Sequence, residues 1–239
     1  MFRNRTVSVV IPAYNEEETI TQVVEDFLED PLVDEVLVVD NNCKDATAER
    51  ARAAGARVVE ESEAGYGRAL MAGMRAATGE MMILTEADGS FKAHDVEKLL
   101  AYLLDAGMVV GTRTTRQLVQ QAANMGRILR WGNVFMAKYL ELLWFIPHEP
   151  RFTDVGCTYR ALWKETFDKI EPSLHRAGPA FSPAMMCEAL MKGFRVIEIP
   201  VHYYPRLGGE SKHSDSFWKI CKTAWVMFQA ISAKRFLGR

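Results

Sequence analysis

The chain has 239 residues, 49% of them hydrophobic and 25% charged, and a formal net charge of −2. Such a chain buries one sizeable core and forms an ordinary globular protein, with no low-complexity segment or internal repeat to suggest a fibrous or disordered class. The near-neutral balance exerts no overall pull on nucleic acid, so no nucleic-acid partner is expected, and any anionic ligand must be held by a local basic cluster.

From the N-terminus, Met1 to Thr6 carry charge with no apolar segment behind them. No run of about 20 apolar residues follows anywhere, so neither a signal peptide nor a spanning helix is expected. Short β-branched runs then alternate with helical patterns. Strands are predicted at Val7–Ile11, Val36–Val39, Arg57–Glu60, Met81–Thr85 and Met108–Gly111, and helices near Glu16–Glu29, Asp45–Ala54, Tyr66–Ala77 and Asp95–Asp105. This alternation predicts a parallel sheet covered by helices. Asn15 with Glu18 three residues on has the spacing of a capping box, and Gly55, Gly79 and Gly107 stand where helices should stop. Beyond Gly111 the rhythm breaks into a polar stretch, Thr112–Asn124, and then an apolar pattern ending at Pro147. Ser182 and Pro183 predict the N-cap and first residue of a further helix ending before Gly193, followed by a strand at Val196–Ile199.

The four cysteines, Cys43, Cys157, Cys187 and Cys221, form no CxxC pair, which argues against a zinc site or disulfide framework and fits a reducing cytosol. The five histidines show no metal-ligand spacing, and most of them are expected to be structural or surface groups.

In open α/β sheets ligands bind at the carboxyl ends of strands, so the residues after each predicted strand belong together. They are Pro12 to Glu16, Asp40 to Asn42, and Glu86 to Ser90. Taken singly, Asp40 is open to reading as a turn residue and Asn15 as a cap. The third cluster is more specific: Glu86 and Asp88 place two carboxylates one residue apart at the end of an apolar strand, where they repel unless a cation offsets them. Oxygen ligands of this kind suit Mg2+ or Mn2+, although Asp88-Gly89 is also a common turn dipeptide. The Gly65–Ala69 turn permits close backbone approach, with a helix start as the alternative. Arg113, Arg116, Arg127 and Arg130 lie in one short region and suit phosphate oxygens, with a solvated face as the alternative. Val134–Ile146 and Phe217–Phe228 are too short to span a bilayer but rich enough to lie at its surface; a core helix or a homo-oligomer interface is the other reading.

The segments VSVVIPAYNEEETI, VLVVDNNCKDAT and ILTEADGSF closely resemble the family 2 glycosyltransferases. The resemblance implies a GT-A fold: a Rossmann-like, mostly parallel sheet flanked by helices, with a less regular C-terminal acceptor-side half. It implies that Pro12, Ala13, Tyr14 and Glu16 line a nucleotide, that Asp40 contacts its base or ribose, and that Gly67 and Arg68 approach the donor. Glu86-Ala87-Asp88 falls on the family's Asp-x-Asp metal motif, with Glu one methylene longer than the usual Asp. Ser90 stands where related enzymes often have a metal-contacting glutamine. Later stretches are similar to dolichol-phosphate mannose synthase and its bacterial relatives; this implies that Arg113 and Arg127 hold a lipid phosphate, and that Arg206 and Lys212 close over the donor phosphates.

The expected protein is therefore one glycosyltransferase domain, 1–239, with a nucleotide-sugar half (1–111), an acceptor half (112–213) and a C-terminal amphipathic helix (214–239). It is expected to use a GDP- or UDP-sugar donor and Mg2+ or Mn2+, and the resemblance implies inversion at the anomeric carbon. The expected acceptor is a dolichyl or undecaprenyl phosphate, reached from the cytoplasmic face of a membrane by peripheral contact. The alternatives are a hydroxyl acceptor, such as a sugar or phosphoglycerate, with Asp154 as base, or a non-catalytic nucleotide-sugar-binding subunit.

Overall fold

The structure is a computed structural model that describes residues 1–120, 123, 126–148, 150–174, 178, 180–208 and 217–237. Its centre is a seven-stranded sheet of order β3-β2-β1-β4-β6-β5-β7. The strands are β1 (Val7–Ala13), β2 (Glu35–Asp40), β3 (Arg57–Glu60), β4 (Met81–Leu84), β5 (Met108–Thr112), β6 (Arg160–Trp163) and β7 (Val196–Pro200). All pairings are parallel except those of β6, which runs antiparallel to both β4 and β5. The central strands are buried almost throughout, from Val7 to Ile11, Leu37 to Val39 and Met81 to Leu84, because helices cover both faces.

Helices α1 (Ile20–Leu28), α2 (Thr47–Ala53), α3 (Tyr66–Ala76) and α4 (Val96–Leu103) connect the first five strands. The chain moves outward from β1 to β2 and β3, then returns to β4 on the other side of β1. That reversal opens a crevice at the carboxyl ends of β1, β2 and β4, which is where such sheets bind ligands.

Several predicted boundaries shift. The first helix begins at Ile20 with Thr19 as its N-cap, not at Glu16. Asn15 instead adopts φ +55°, and its Oδ1 accepts the Lys44 N–H at 2.8 Å, so the capping-box reading gives way to a loop clasp. Gly79 belongs to the approach to β4: a Cβ there would lie 2.6 Å from the Ser8 backbone nitrogen. Ser182 and Pro183 fall inside the first turn of α7 (Phe181–Met191), whose N-cap is Ala180.

The second half contributes α5 (Arg127–His148), α6 (Lys164–Ile170), α7 and α8 (Phe217–Leu237). Every residue of α7 from Phe181 to Leu190 is buried. On α8, Met227, Ala230, Ile231 and Lys234 turn inward. Lys234 pairs with Glu188 of α7, each only 2% exposed, and its ammonium also donates to Ser173 O at 2.6 Å. Tyr139 of α5 stacks on Phe228 and hydrogen-bonds Ser232 at 2.8 Å. One face of the C-terminal helix is thus core, while Trp218 and Trp225 are exposed on it.

Candidate active site

The crevice is a cleft of about 400 Å³. Pro12, Ala13, Tyr14 and Glu16 line it from the end of β1, Asn41 from β2, and Glu86, Ala87 and Asp88 from β4. Ala64, Gly65, Tyr66 and Ala69 close one wall and Arg206 another. Side-chain bonds hold the walls in register. Thr19 Oγ1 donates to Ala87 O at 2.7 Å, joining the loops after β1 and β4. Asn41 donates to Glu61 O and Glu63 O at 3.0 and 2.9 Å and accepts the Gly65 N–H at 2.8 Å, which fixes the turn before α3. At Gly89, φ is +73° and an added Cβ would lie 2.4 Å from Leu207, so this turn needs glycine for both reasons.

Both carboxylates of the Glu-Ala-Asp motif reach the cleft, in different environments. Glu86 Oε1 accepts a hydrogen bond from Thr158 at 2.7 Å, and Thr158 in turn meets the Tyr66 hydroxyl at 2.6 Å. Burial, and then the charge of Asp88, push Glu86 up to about 7, against the opposing charges of Arg113 and Arg206. The buried Asp88 accepts the Ser90 N–H at 2.9 Å, and its Oδ2 lies 3.0 Å from Arg206 Nε. Ser90 Oγ is buried with no hydrogen-bond partner among the described residues. Two carboxylates that repel each other, beside an unsatisfied hydroxyl, are donors of the kind a hard divalent cation takes.

Arg113, at the end of β5, is held by Asp154: Nε donates to Oδ2 at 2.8 Å and Nη2 to Oδ1 at 3.0 Å. The side chains are 13% and 0% exposed. Asp154 also accepts the N–H groups of Arg113 and Gly156 at 3.2 and 3.1 Å. Behind it, Glu198 of β7 accepts the Asp154 N–H at 2.8 Å together with the backbone and hydroxyl of Thr153. Burial pushes Glu198 up to about 7 although those donors oppose it. Arg113 also lies over the Tyr203 ring at 5.5 Å.

Of the residues singled out in the sequence, Pro12, Ala13, Tyr14, Glu16, Glu86, Ala87, Asp88 and Arg206 come together in the cleft. Asp40 does not line it; its Oδ1 accepts the Cys43 N–H at 2.8 Å and shapes the neighbouring turn. Gly67 is buried within α3, and Arg68 pairs with Glu63. These two therefore support the wall and do not face the cleft, because the turn of helix that begins at Gly65 rotates them away. Arg127 opens α5, but its side chain, like all of Lys212, lies outside the described residues. Asn41 and Tyr66 fell inside the strand-end cluster Asp40 to Asn42 and the Gly65–Ala69 turn but were given no individual role there. Sequence reasoning assigned nothing to Thr158 and Glu198.

A mostly parallel sheet with one reversed strand and a carboxylate pair at the edge of its crevice is the arrangement of the GT-A glycosyltransferase class. The pattern of glycosyl transferase family 2 matches residues 8–161, and the chain belongs to that family. It is 34% identical over 224 residues to an uncharacterized glycosyltransferase of Mycobacterium tuberculosis, covering 90% of this chain and 97% of the relative. It is 31% identical over 206 residues to a dolichyl-phosphate hexose transferase of Haloferax volcanii, covering 84% of each. In fold it is similar to glucosyl-3-phosphoglycerate synthase from Mycobacterium tuberculosis, crystallised with Mn2+, UDP and phosphoglyceric acid. The TM-score is 0.76 at 21% identity, over 98% of this chain and 79% of that one. Among the described residues no helix is long and apolar enough to cross a membrane.

Proposed function

We propose that this glycosyltransferase moves a hexosyl group, with inversion, from a nucleoside-diphosphate sugar to a polyprenyl phosphate. The observation that carries the choice of acceptor is the Arg113–Asp154 pair. A hydroxyl acceptor needs a base to take its proton, whereas a phosphate acceptor is already anionic and needs a cation to place it. Asp154, the base that the hydroxyl-acceptor alternative requires, has both oxygens engaged by Arg113 and Gly156. Arg113 uses two of its five N–H donors on Asp154, which leaves the rest of a fixed guanidinium for another anion.

A lipid source for that anion is supported by α5. Ile128, Trp131, Phe135, Leu142 and Phe145 are exposed and recur at helical spacing along one face, beginning at the same end of the helix as Arg127. The dolichyl-phosphate hexose transferase of Haloferax volcanii supports the same choice.

In this reading Glu86 and Asp88 would hold Mg2+ or Mn2+, which supplies charge neutralisation at the departing nucleoside diphosphate. Asn41, Gly65 and Tyr66 would seat the nucleoside, Thr158 would fix the Glu86 carboxylate, and Arg206 would turn from Asp88 to the diphosphate.

The test is transfer of labelled sugar from a panel of UDP- and GDP-sugars, with Mn2+ or Mg2+, to a short polyprenyl phosphate and to 3-phosphoglycerate in parallel. Label should enter the lipid, and Arg113→Ala should lower that transfer by about one to two orders of magnitude, the value of one charge-assisted hydrogen bond. Transfer to 3-phosphoglycerate alone, with Arg113→Ala fully active, would overturn the choice of acceptor.

A further inference from the structure

β7 continues through Val201 and His202 into the segment that carries Arg206. His202 is locked in place by Asp95. Its backbone N–H donates to Asp95 Oδ2 at 2.6 Å, and its ring Nδ1 lies 3.0 Å from Asp95 Oδ1. His94 meets the His202 ring edge-on, with centroids 4.7 Å apart. One ligand atom from each of His94, Asp95 and His202 lies within 4.8 Å of the others.

Asp95 is buried, which raises its affinity for a proton, but bonds from Lys98 and His202 outweigh burial and hold it below the ordinary carboxylate range. It is therefore an anion at neutral pH. At present the Lys98 ammonium, 2.8 Å from Oδ1, supplies its counter-charge.

We propose that His94, Asp95 and His202 form a second metal site, one that takes an imidazole-binding divalent ion such as Zn2+ and is separate from the carboxylate pair of the cleft. Two imidazoles and one carboxylate are the donors of a borderline transition metal, whereas Mg2+ and Mn2+ favour oxygen. Zn2+ bonds of about 2.0–2.1 Å require the three ligand atoms to draw together. His94 is exposed on a short turn, Ala93–Asp95, and is free to make that movement. The ion would displace Lys98 and leave at least one position open to water or an outside ligand.

The site is tied to the cleft through the backbone. Two residues beyond His202, the Tyr204 N–H donates to Ser90 O at 2.9 Å, and the Leu207 N–H donates to Asp88 O at 2.9 Å. Occupancy by Zn2+ would anchor the start of the segment that lays Arg206 on Asp88.

The experiment is a Zn2+ titration of the full chain against a chromophoric chelator, with Co2+ absorption as a spectroscopic readout of nitrogen ligation. One equivalent should bind. His94→Ala and His202→Ala should each weaken it by at least about tenfold, the loss typical even of groups that merely orient a ligand. Lys98→Met should tighten binding by removing the competing ammonium, and Asp88→Asn should leave it unchanged. His94 and Lys98 lie at the surface, so these two variants keep the test decisive even if His202→Ala misfolds. No stoichiometric Zn2+ binding, or binding that survives the His94→Ala/His202→Ala double substitution, would overturn the proposal.

Discussion

Asp88 and Glu86 sit two positions apart yet differ in what they are free to do. Asp88 faces a cation already, at Arg206, and is anchored by the Ser90 amide. Glu86 spends one oxygen on the Thr158 hydroxyl and is pushed up to about 7 by burial and by Asp88. Asp88→Asn is therefore expected to lower Mn2+-dependent nucleotide binding by at least about tenfold, the loss of one charge-assisted contact, and Glu86→Gln by less. Calorimetry with UDP or GDP and Mn2+ checks this, and undiminished binding in both variants would remove the pair as a metal site. The sequence made these two residues legible because strand-end position and charge alone single them out. Thr158 and Glu198 were not legible, since what selects them is a partner 72 residues away in one case and 45 and 44 in the other.

The elements divide along the same line. β1, β2 and β4 were legible because each is a buried apolar run, and α1, α3 and α4 because each has one apolar face, whereas the edge strand β3 has no buried residue and showed only its Val58–Val59 pair. β6 was not legible: Arg160–Trp163 has four residues, and Arg160 within it is a buried cation bonded to the Cys157 and Ser182 carbonyls, so no hydrophobic pattern marks it. The two apolar stretches were read as open between a membrane surface and a core helix or homo-oligomer interface, and in the structure each helix has one buried and one exposed face. Their roles are separable by substitution. Truncating α8 would strip away Ile231 and the buried Lys234–Glu188 pair, and losing one partner of such a pair costs about 3–5 kcal/mol, so a shortened chain would test stability and not attachment. Replacing Trp131, Phe135 and Leu142 together by serine touches only exposed positions of α5. That variant is expected to unfold at the same denaturant concentration as the parent but to float less with anionic liposomes. Equal flotation, or none by either protein, would count against α5 as the lipid-facing surface.

Across the whole molecule, Glu198 links sheet stability to solution pH. Its ordinary value of 4.5 rises to about 7 in the folded protein, mainly through burial. The folded chain thus retains a proton that the unfolded chain releases between those values. The resulting stability is present in full below about 4.5 and is lost as pH rises through about 7. Thermal midpoints should climb on going from pH 8 to pH 6, and the slope should be shallower in Glu198→Gln. An unchanged slope in that variant would show that the titrating group lies elsewhere. The reversed strand carries a different consequence, for biosynthesis. β6 lies between β4 and β5 in the sheet but follows both in the chain, more than 40 residues after β5 ends. On the ribosome β1 to β4 emerge first, and a four-stranded sheet formed from them would have a β4 edge without its partner until Arg160–Trp163 arrives. An unpaired, wholly apolar edge strand is a template for pairing with other chains. Nascent chains arrested between β5 and β6 should therefore be the form that most needs a chaperone, and products truncated there should aggregate, while chains extended past Trp163 close the gap from within.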